Sequence, residues 1–398
     1  MPKITHFNLA GAWREIKNAY VKVAGTWRDV YKIYVKVSGV WEEVHRKQID
    51  YTITSDVYDF DAHVALGSQT TPYDFVVTVD TGINVRSSGT GIPAFSAGAL
   101  PAGSTLKIVN KGNILGRGGR GADVTEIGIT AWGCIRGVNG LPGGDAIETT
   151  VDVEIDNTLG NIYGGGGGGA AGGSMTGPFD FFSWAGGGGG AGAGGDFGGR
   201  TYDGGWGAPG LDATDGEDSS GIIDLVLDTT LEGAAETSVV VTSPINEDTP
   251  QSGFIRITAN ALDTKIIQAY TSWTDYTFTI PSSDYSSQKC NAGNQVSFSS
   301  GYTKTDAAGA GGNPDSYDPP DGHYEGGTGG AGGGYGDNGE NSLVGGDGEG
   351  SPLFCSSGPD PDTAGATGGT AGKAVELNGN SISWLGGNNS NQVKGAVS

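Results

Sequence analysis

Hydrophobic and polar positions alternate in short runs along this chain, and nothing in it shows a long amphipathic helix. Tyr20-Val21-Lys22-Val23 alternates, as do Phe75-Val76-Val77-Thr78-Val79 and Ile83-Asn84-Val85. Alternation of this kind marks half-buried strands, so the chain is expected to be all-β and elongated. In residues 5–44 the pattern repeats with a period of 14. Trp13, Trp27 and Trp41 are in register, as are Gly11, Gly25 and Gly39, and Tyr20 and Tyr34. The unit reads Y-V-K-V-x-G-x-W-x-x-V. Ala24-Gly25 and Ser38-Gly39 mark tight turns, so each unit predicts a strand, a turn and a strand starting at Trp. One hairpin alone is marginal in water. Three in succession make a small meander or stack on partner chains. They read either as a plain all-β mini-domain or as a module docking the protein to a larger assembly.

Residues 46–60 connect to the next β region. There a phrase recurs: GSTLKIVNKGNILG at Gly103–Gly116, VEIDNTLGNIYG at Val153–Gly164 and AVELNGNSI at Ala374–Ile382. Each is a short strand, an Asn turn, and then an isoleucine. Asn and Gly are expected to supply the positive-φ positions of the turns. A repeated strand–turn unit predicts stacked coils. A segment of ordinary composition, 221–305, holds further strand patterns at 222–227, 237–242, 254–258 and 276–280. It is expected to be a small inserted β domain.

Composition changes this picture at two tracts. Six glycines run from Gly164 to Gly169 and five from Gly186 to Gly190, and a second tract spans Gly326–Gly350. Glycine loses more backbone entropy on ordering than any other residue and brings no side chain to bury. A flexible linker is one reading. Against it stand the large rings between the runs: Phe179, Phe181, Phe182, Trp184, Phe197, Tyr202 and Trp206. Collagen needs glycine at every third position and about a third of all residues; here 76 of 398 are glycine, in consecutive runs. The remaining ordered form is bundled polyglycine II, in which each extended run bonds its backbone to neighbouring runs. Gly164–Gly169 and Gly186–Gly190 should then lie side by side, with the Phe179–Trp184 segment as the loop joining them. The rings either cap the bundle or form an exposed binding cluster. The expected organisation is 1–49 hairpin repeats, 50–163 β platform, 164–210 first glycine tract, 211–305 inserted β domain, and 306–398 second glycine tract and C-terminal strand.

The net charge of −23 argues against a nucleic-acid partner. Cys134, Cys290 and Cys355 imply no disulfide framework or zinc site. No apolar N-terminal run reads as a signal peptide, so synthesis is expected in a cytoplasm. His6, His45, His63 and His323 have no metal-ligand spacing. Gly116–Gly121 (GRGGRG) has no Lys-Ser/Thr ending and is not a phosphate cradle. Asp212–Asp218 departs from a calcium loop in the place of its glycine and reads as a solvated acidic turn. No catalytic constellation, cofactor or metal is expected.

The phrases at Gly103–Gly121, Asp156–Gly173 and from Gly368 (GGTAGKAVELNGNSISWLGG), with the tryptophan repeat at 13–44, resemble tail-fibre and tail-tip receptor-binding proteins of tailed bacteriophages. The glycine runs with aromatic loops between them are similar to distal adhesins of T-even-like phages. The resemblance leaves out roughly 211–305. It implies a virion tail protein, without enzymatic activity, that mediates adsorption to the bacterial surface. Its partners would be a host receptor (lipopolysaccharide, capsule or outer-membrane protein) and phage tail or baseplate proteins, and its assembly a homotrimer. The rings Phe179 to Trp206 would contact the receptor, and Trp13, Trp27 and Trp41 would attach the chain to the virion. The competing classes are a tailspike-like polysaccharide depolymerase and a structural surface-coat protein.

Overall fold

The computed structural model describes residues 6–9, 12–15, 19–124, 134–135, 137–176, 183–184, 188–200, 216–260, 265–286, 288–313, 316–317, 324–325, 328–342 and 366–398. Its only helix among these is one turn, Ala62–Ala65, and the rest is strand and extended chain.

The period of 14 folds as three separate two-stranded hairpins: His6–Leu9 with Ala12–Glu15, Ala19–Val23 with Thr26–Val30, and Lys32–Val37 with Val40–Arg46. Ala24-Gly25 and Ser38-Gly39 both have positive φ at both positions, the two-residue turn that matches the twist of the flanking strands. The tryptophans are equivalent in register: Trp13 pairs with Asn8, Trp27 with Lys22 and Trp41 with Lys36. Lys22 and Lys36 stand 5.8 and 5.9 Å from the Trp27 and Trp41 rings. Those two rings are 65% and 66% exposed.

From Gln48 the chain winds into stacked three-sided coils, and every neighbouring pair of strands is parallel. The first face holds Gln48–Ile53, Asp74–Val79, Thr105–Asn110, Val153–Asp156 and Ile382–Gly386. The second holds Val57–Tyr58, Asn84–Arg86, Asn113–Leu115, Asn161–Tyr163 and Val393–Lys394. The third holds Phe60–Asp61, Phe95–Ser96, Ile147–Glu148 and Val375–Glu376. Register stacks like on like. Val77, Ile108 and Ile155 form one interior column, Val85, Ile114 and Ile162 a second, and Phe95, Ile147 and Val375 a third, all buried. The alternation seen in the sequence is the inward–outward pleat of these strands.

Three expectations need correction here. The asparagines of the first two recurring phrases do not supply positive φ; among the three phrases that role falls to Gly103, Asn378 and Gly379. Instead they ladder. Asn161 donates to Asn113 and Asn113 to Asn84, both at 2.8 Å, and Asn84 donates to Asp56 at 3.0 Å. Parallel strands in register put identical amides one above another, so each can give and take one bond. The third phrase is also displaced by one face. The first two run from face one to face two, whereas Val375–Glu376 lies on face three and Ile382–Gly386 on face one. Finally, the C-terminal strands grouped with the second glycine tract are coils of the β platform. Replacing Asn113 with Asp removes the donor to Asn84 and sets carboxylate oxygen against the Asn84 amide oxygen. We expect a loss of about 1–2 kcal/mol, read from the urea midpoint.

The coils are interrupted at one corner, between faces two and three. Residues 116–145 leave after Leu115 and return before Ile147, and 164–373 leave after Tyr163 and return before Val375. These excursions form ten extended segments: 116–124, 164–173, 196–200, 307–313 and 337–342 lead away from the coils, and 137–145, 188–193, 216–219, 328–334 and 366–373 lead back. The 164–171 run lies at the centre. Gly165, Gly168 and Ala171 donate to the carbonyls of Gly144, Leu141 and Val138. Gly166 and Gly169 donate to Ala193 and Gly190, and Gly167 and Ala170 to Asp337 and Glu340. Its carbonyls accept from Gly119 and Ala122, from Gly369 and Gly372, and from Gly330 and Gly333. Each third residue faces the same neighbour, so one run bonds to six others, all of this chain. A Cβ on Gly166, Gly167, Gly168 or Gly169 would overlap the carbonyl of Gly333, Gly369, Arg120 or Gly330. That close approach is what requires glycine here. Gly169 bonding Gly190 sets the two runs side by side as expected over the described part of the second. Because one chain satisfies the run, the glycines no longer give a reason for a homotrimer.

Between 216–219 and 307–313 the chain builds a two-sheet sandwich. One sheet orders Ile222–Val226, Gln295–Ser299, Gly253–Thr258 and Lys265–Tyr270; the other orders Glu236–Val240, Thr277–Ser283 and Ser272–Thr274. Val239, Ile255, Ile257, Phe278, Val296 and Phe298 fill the space between them. The four strand patterns of the sequence are all present. Lys265–Tyr270, Ser272–Thr274 and Gln295–Ser299 add to them.

Candidate functional site

The segments that lead away from the coils end together, at the end of the bundle farthest from the coils. Val124 donates to Arg200 at 2.8 Å, so the last described residues of 116–124 and 196–200 are neighbours. Arg117, Arg120 and Asp123 recur at every third position of the first segment and so share one of its three directions. This is the period behind GRGGRG, which reads as bundle rather than phosphate loop. Asp123 is bonded by Arg120 at 2.5 Å and by the Arg200 backbone and guanidinium at 2.8 and 3.0 Å. A three-stranded sheet of Cys134–Ile135, Ser174–Thr176 and Ser183–Trp184 stands at this far end, with Trp184 paired to Met175. So does the short hairpin pairing Tyr317 with Tyr324.

Of the seven rings expected to meet a receptor, Phe179, Phe181, Phe182, Tyr202 and Trp206 lie outside the described residues. The Trp184 backbone lies in the far-end sheet, in a strand and not in a loop. Phe197 does not belong to an exposed set. It is buried, with the Arg256 guanidinium 4.9 Å from its ring. Arg256 also holds Asp218 at 2.6 Å, so Phe197 is a contact between bundle and sandwich. The expectation failed because Phe197, set in Gly-Gly-Asp-Phe-Gly-Gly, has no apolar neighbour in sequence, while a separate domain supplies its cover.

The opposite end of the bundle is a packed joint. Leu115, Tyr163, Ala193, Tyr302 and Tyr335 cluster there. The Tyr302 hydroxyl accepts from the Ser87 N–H at 2.8 Å and faces the Ser87 carbonyl at 2.8 Å. Buried Arg86 lies between the Tyr58 and Tyr302 rings and pairs with Asp56 at 3.0 Å. Burial pushes the Tyr58, Tyr302 and Tyr335 hydroxyls up. Burial also raises the carboxyls of Asp145 and Asp306. Asp145 accepts from the Lys373 N–H, and Asp306 accepts from the Thr303 N–H in a turn beside the joint. Among the described residues these perturbed groups serve packing, and no cluster of His, Cys, Asp or Glu is able to hold a metal ion.

Residues 48–237 match the family model described as phage tail fibre adhesin Gp38. That stretch is just under half of the chain and runs from the first coil into the sandwich. Among solved structures, the chain is similar to the gp37-gp38 adhesin tip complex of the bacteriophage S16 long tail fiber, at 17% identity over 89% of this chain and 83% of that one. The TM-score is 0.36, too low to add to the fold described above. No curated protein matches. Through residues 48–237 the chain is thus similar to the phage tail fibre adhesins.

Proposed function

We propose that the chain attaches by binding alone, without cleavage, through the far end of the glycine bundle. The observation that supports this is the arrangement of segments. The coils and the glycine interior are satisfied within themselves, and the far end is where outgoing and returning segments meet their connections. The three-residue repeat of backbone bonds, with six neighbours around one run, supports a bundle of the polyglycine II type. The receptor is lipopolysaccharide, capsule or an outer-membrane protein of the host, and Trp184 belongs to the contact. Trp184→Ala should leave the melting temperature nearly unchanged and reduce adsorption of the purified chain to host cells. Unfolding with adsorption spared would instead make the ring a cap of the bundle. Release of reducing sugar from host polysaccharide would favour a depolymerase.

The hairpins serve the other end of this reading. Tyr20, Trp27, Tyr34 and Trp41 are exposed together with Val21, Val23, Val35, Val37 and Val40. Hairpins with both faces apolar and uncovered suit a docking surface, and we assign them to the phage tail proteins or to further copies of the chain. The homotrimer is proposed on the hairpins alone, and light scattering separates three copies from one. Trp27→Ala and Trp41→Ala should change stability by less than about 0.5 kcal/mol, since the rings are exposed, while abolishing incorporation into particles. Normal particle assembly by the double variant would show that the repeat does not attach the chain. Synthesis in the host cytoplasm follows from the same reading.

A further inference from the structure

The sandwich stands beside the bundle with its strands running the same way. At Phe197 the bundle meets Arg256, whose guanidinium covers the ring at 4.9 Å and reaches Asp218 at 2.6 Å. Three residues farther out, the Arg200 guanidinium donates to the carbonyl of Lys265. Lys265 pairs with Thr258, two residues beyond Arg256 on its strand. The two outward steps match: about 9 Å for three extended bundle residues and about 7 Å for two strand residues. The sandwich is thus fixed at two heights, and its Thr258–Lys265 edge is level with Arg200, the last described residue before one of the far-end connections. At the other end, Ser299 and Tyr302 pack against Gly195, where a Cβ would strike both side chains.

Three loops continue past that edge and are tied to one another. Asn260 donates from its backbone to the Lys289 carbonyl at 3.0 Å, and its side-chain oxygen accepts from the Asn291 N–H at 3.1 Å and from the Asn294 amide at 2.9 Å. Thr230 accepts from the Ala292 N–H at 3.2 Å. Leu231 and Cys290 exchange backbone bonds, and Gly293 donates to Leu227. Thr229, Thr230, Asn260, Asn291 and Ala292 are nonetheless exposed. The lysine of these loops, Lys289, is paired with Glu232.

We infer that this laced tip of the sandwich, formed by residues 228–231, 260 and 289–294, is a second contact with the host surface and that it takes a saccharide. The inference rests on the far end of the bundle being the receptor end. The tip projects past the level of Arg200 beside the bundle, on the same side of the molecule as the bundle's far end. Its cross-bonds fix the shape in advance, which removes an ordering cost from binding. Besides the Asp228 carboxylate and Lys289, which is paired with Glu232, its exposed groups are amides and hydroxyls, donors and acceptors suited to sugar hydroxyls. The exposed Trp, Tyr and Arg that anchor protein contacts are not among them.

The test uses the full-length chain with Asn291→Arg and, separately, Thr229→Arg. Both side chains are exposed, and the backbone bond from Asn291 remains. Melting temperature should be unchanged. Binding to polysaccharide extracted from the host envelope should fall about tenfold, the effect of losing one or two hydrogen bonds. Adsorption to host cells should fall with it. Unchanged polysaccharide binding by both variants would overturn the inference while leaving the bundle as the receptor end. A parent chain that binds cells but not the polysaccharide would overturn it equally, since the partner would then be protein. A parent chain that binds neither would remove the reading of the bundle itself, and this inference with it.

Discussion

Gly166→Val is expected to unfold the glycine bundle, whereas Gly91→Ala leaves the protein as it was. The Gly166 N–H donates to Ala193 and its carbonyl accepts from Gly119. Its missing Cβ lies against the Gly333 carbonyl. The obstruction is backbone, which cannot rotate aside as a side chain can. Overpacking ordinarily costs about 1–3 kcal/mol. Each interior backbone group left without a partner adds about 1–3 kcal/mol more. Separating one run from its neighbours strands several such groups, so the loss is on the order of 5 kcal/mol, comparable with the whole stability of a small domain. Gly91 has open space where its Cβ would go. Guanidinium unfolding with exchange of the 165–171 amides reads the difference. Protected amides in Gly166→Val would show that the central run tolerates a branch, and the six-neighbour arrangement would fail.

Tyr302→Ala is expected to uncouple the parts of the molecule. The ring is buried where the second face of the coils, the bundle and the end of the sandwich meet, and its hydroxyl serves Ser87. Removing it costs about 3–5 kcal/mol for the lost ring. It also leaves the Ser87 carbonyl without its donor, removes the shorter of two bonds from the Ser87 N–H, and uncovers one side of Arg86. Calorimetry should then show two transitions where the parent shows one. Tyr302→Phe keeps the ring and removes only the hydroxyl; the Ser87 carbonyl loses its donor while the Ser87 N–H keeps the Leu115 carbonyl, a loss of about 1–3 kcal/mol with a single transition retained. One unchanged transition in Tyr302→Ala would place the coupling elsewhere.

The hairpins are legible in the sequence because their signals are local. Ala24-Gly25 and Ser38-Gly39 set the turn, and Lys22 and Trp27 are five residues apart. The coils are legible as a recurring phrase, since parallel in-register stacking favours the same residue type at each level. Which face each phrase occupies is not legible. Ala374–Ile382 matches the others in wording yet turns a different corner, because corners differ in what lies beyond them and not in the strand itself. In the glycine runs the requirement for backbone neighbours can be read, but not their number or source. A glycine carries no side chain to name its partner, so Gly166 gives no hint of Ala193, Gly119 or Gly333. Phe197 misleads for the complementary reason: its cover, Arg256, is supplied by a domain inserted after it.

The corner at which both excursions leave and re-enter the coils decides how the protein carries load. On the proposed reading, in which the far end meets the host, a virion pulls along the bundle axis. Every segment there is anchored at its base: in a coil strand, as at Leu115, Ile147, Tyr163 and Val375, through a turn to its neighbour, as at Tyr335-Gly336, or in the sandwich, as for 216–219 and 307–313. Traction on a far-end connection therefore slides segments past one another lengthwise. Bonds resisting that motion break together, not one after another as in the opening of a zip. The run at 164–171 is gripped on six sides, so pulling it out requires all of those contacts to yield at once. On that reading the glycine bundle acts as a tether that is stiff along the direction in which an attached particle tugs, held among the described residues by backbone hydrogen bonds.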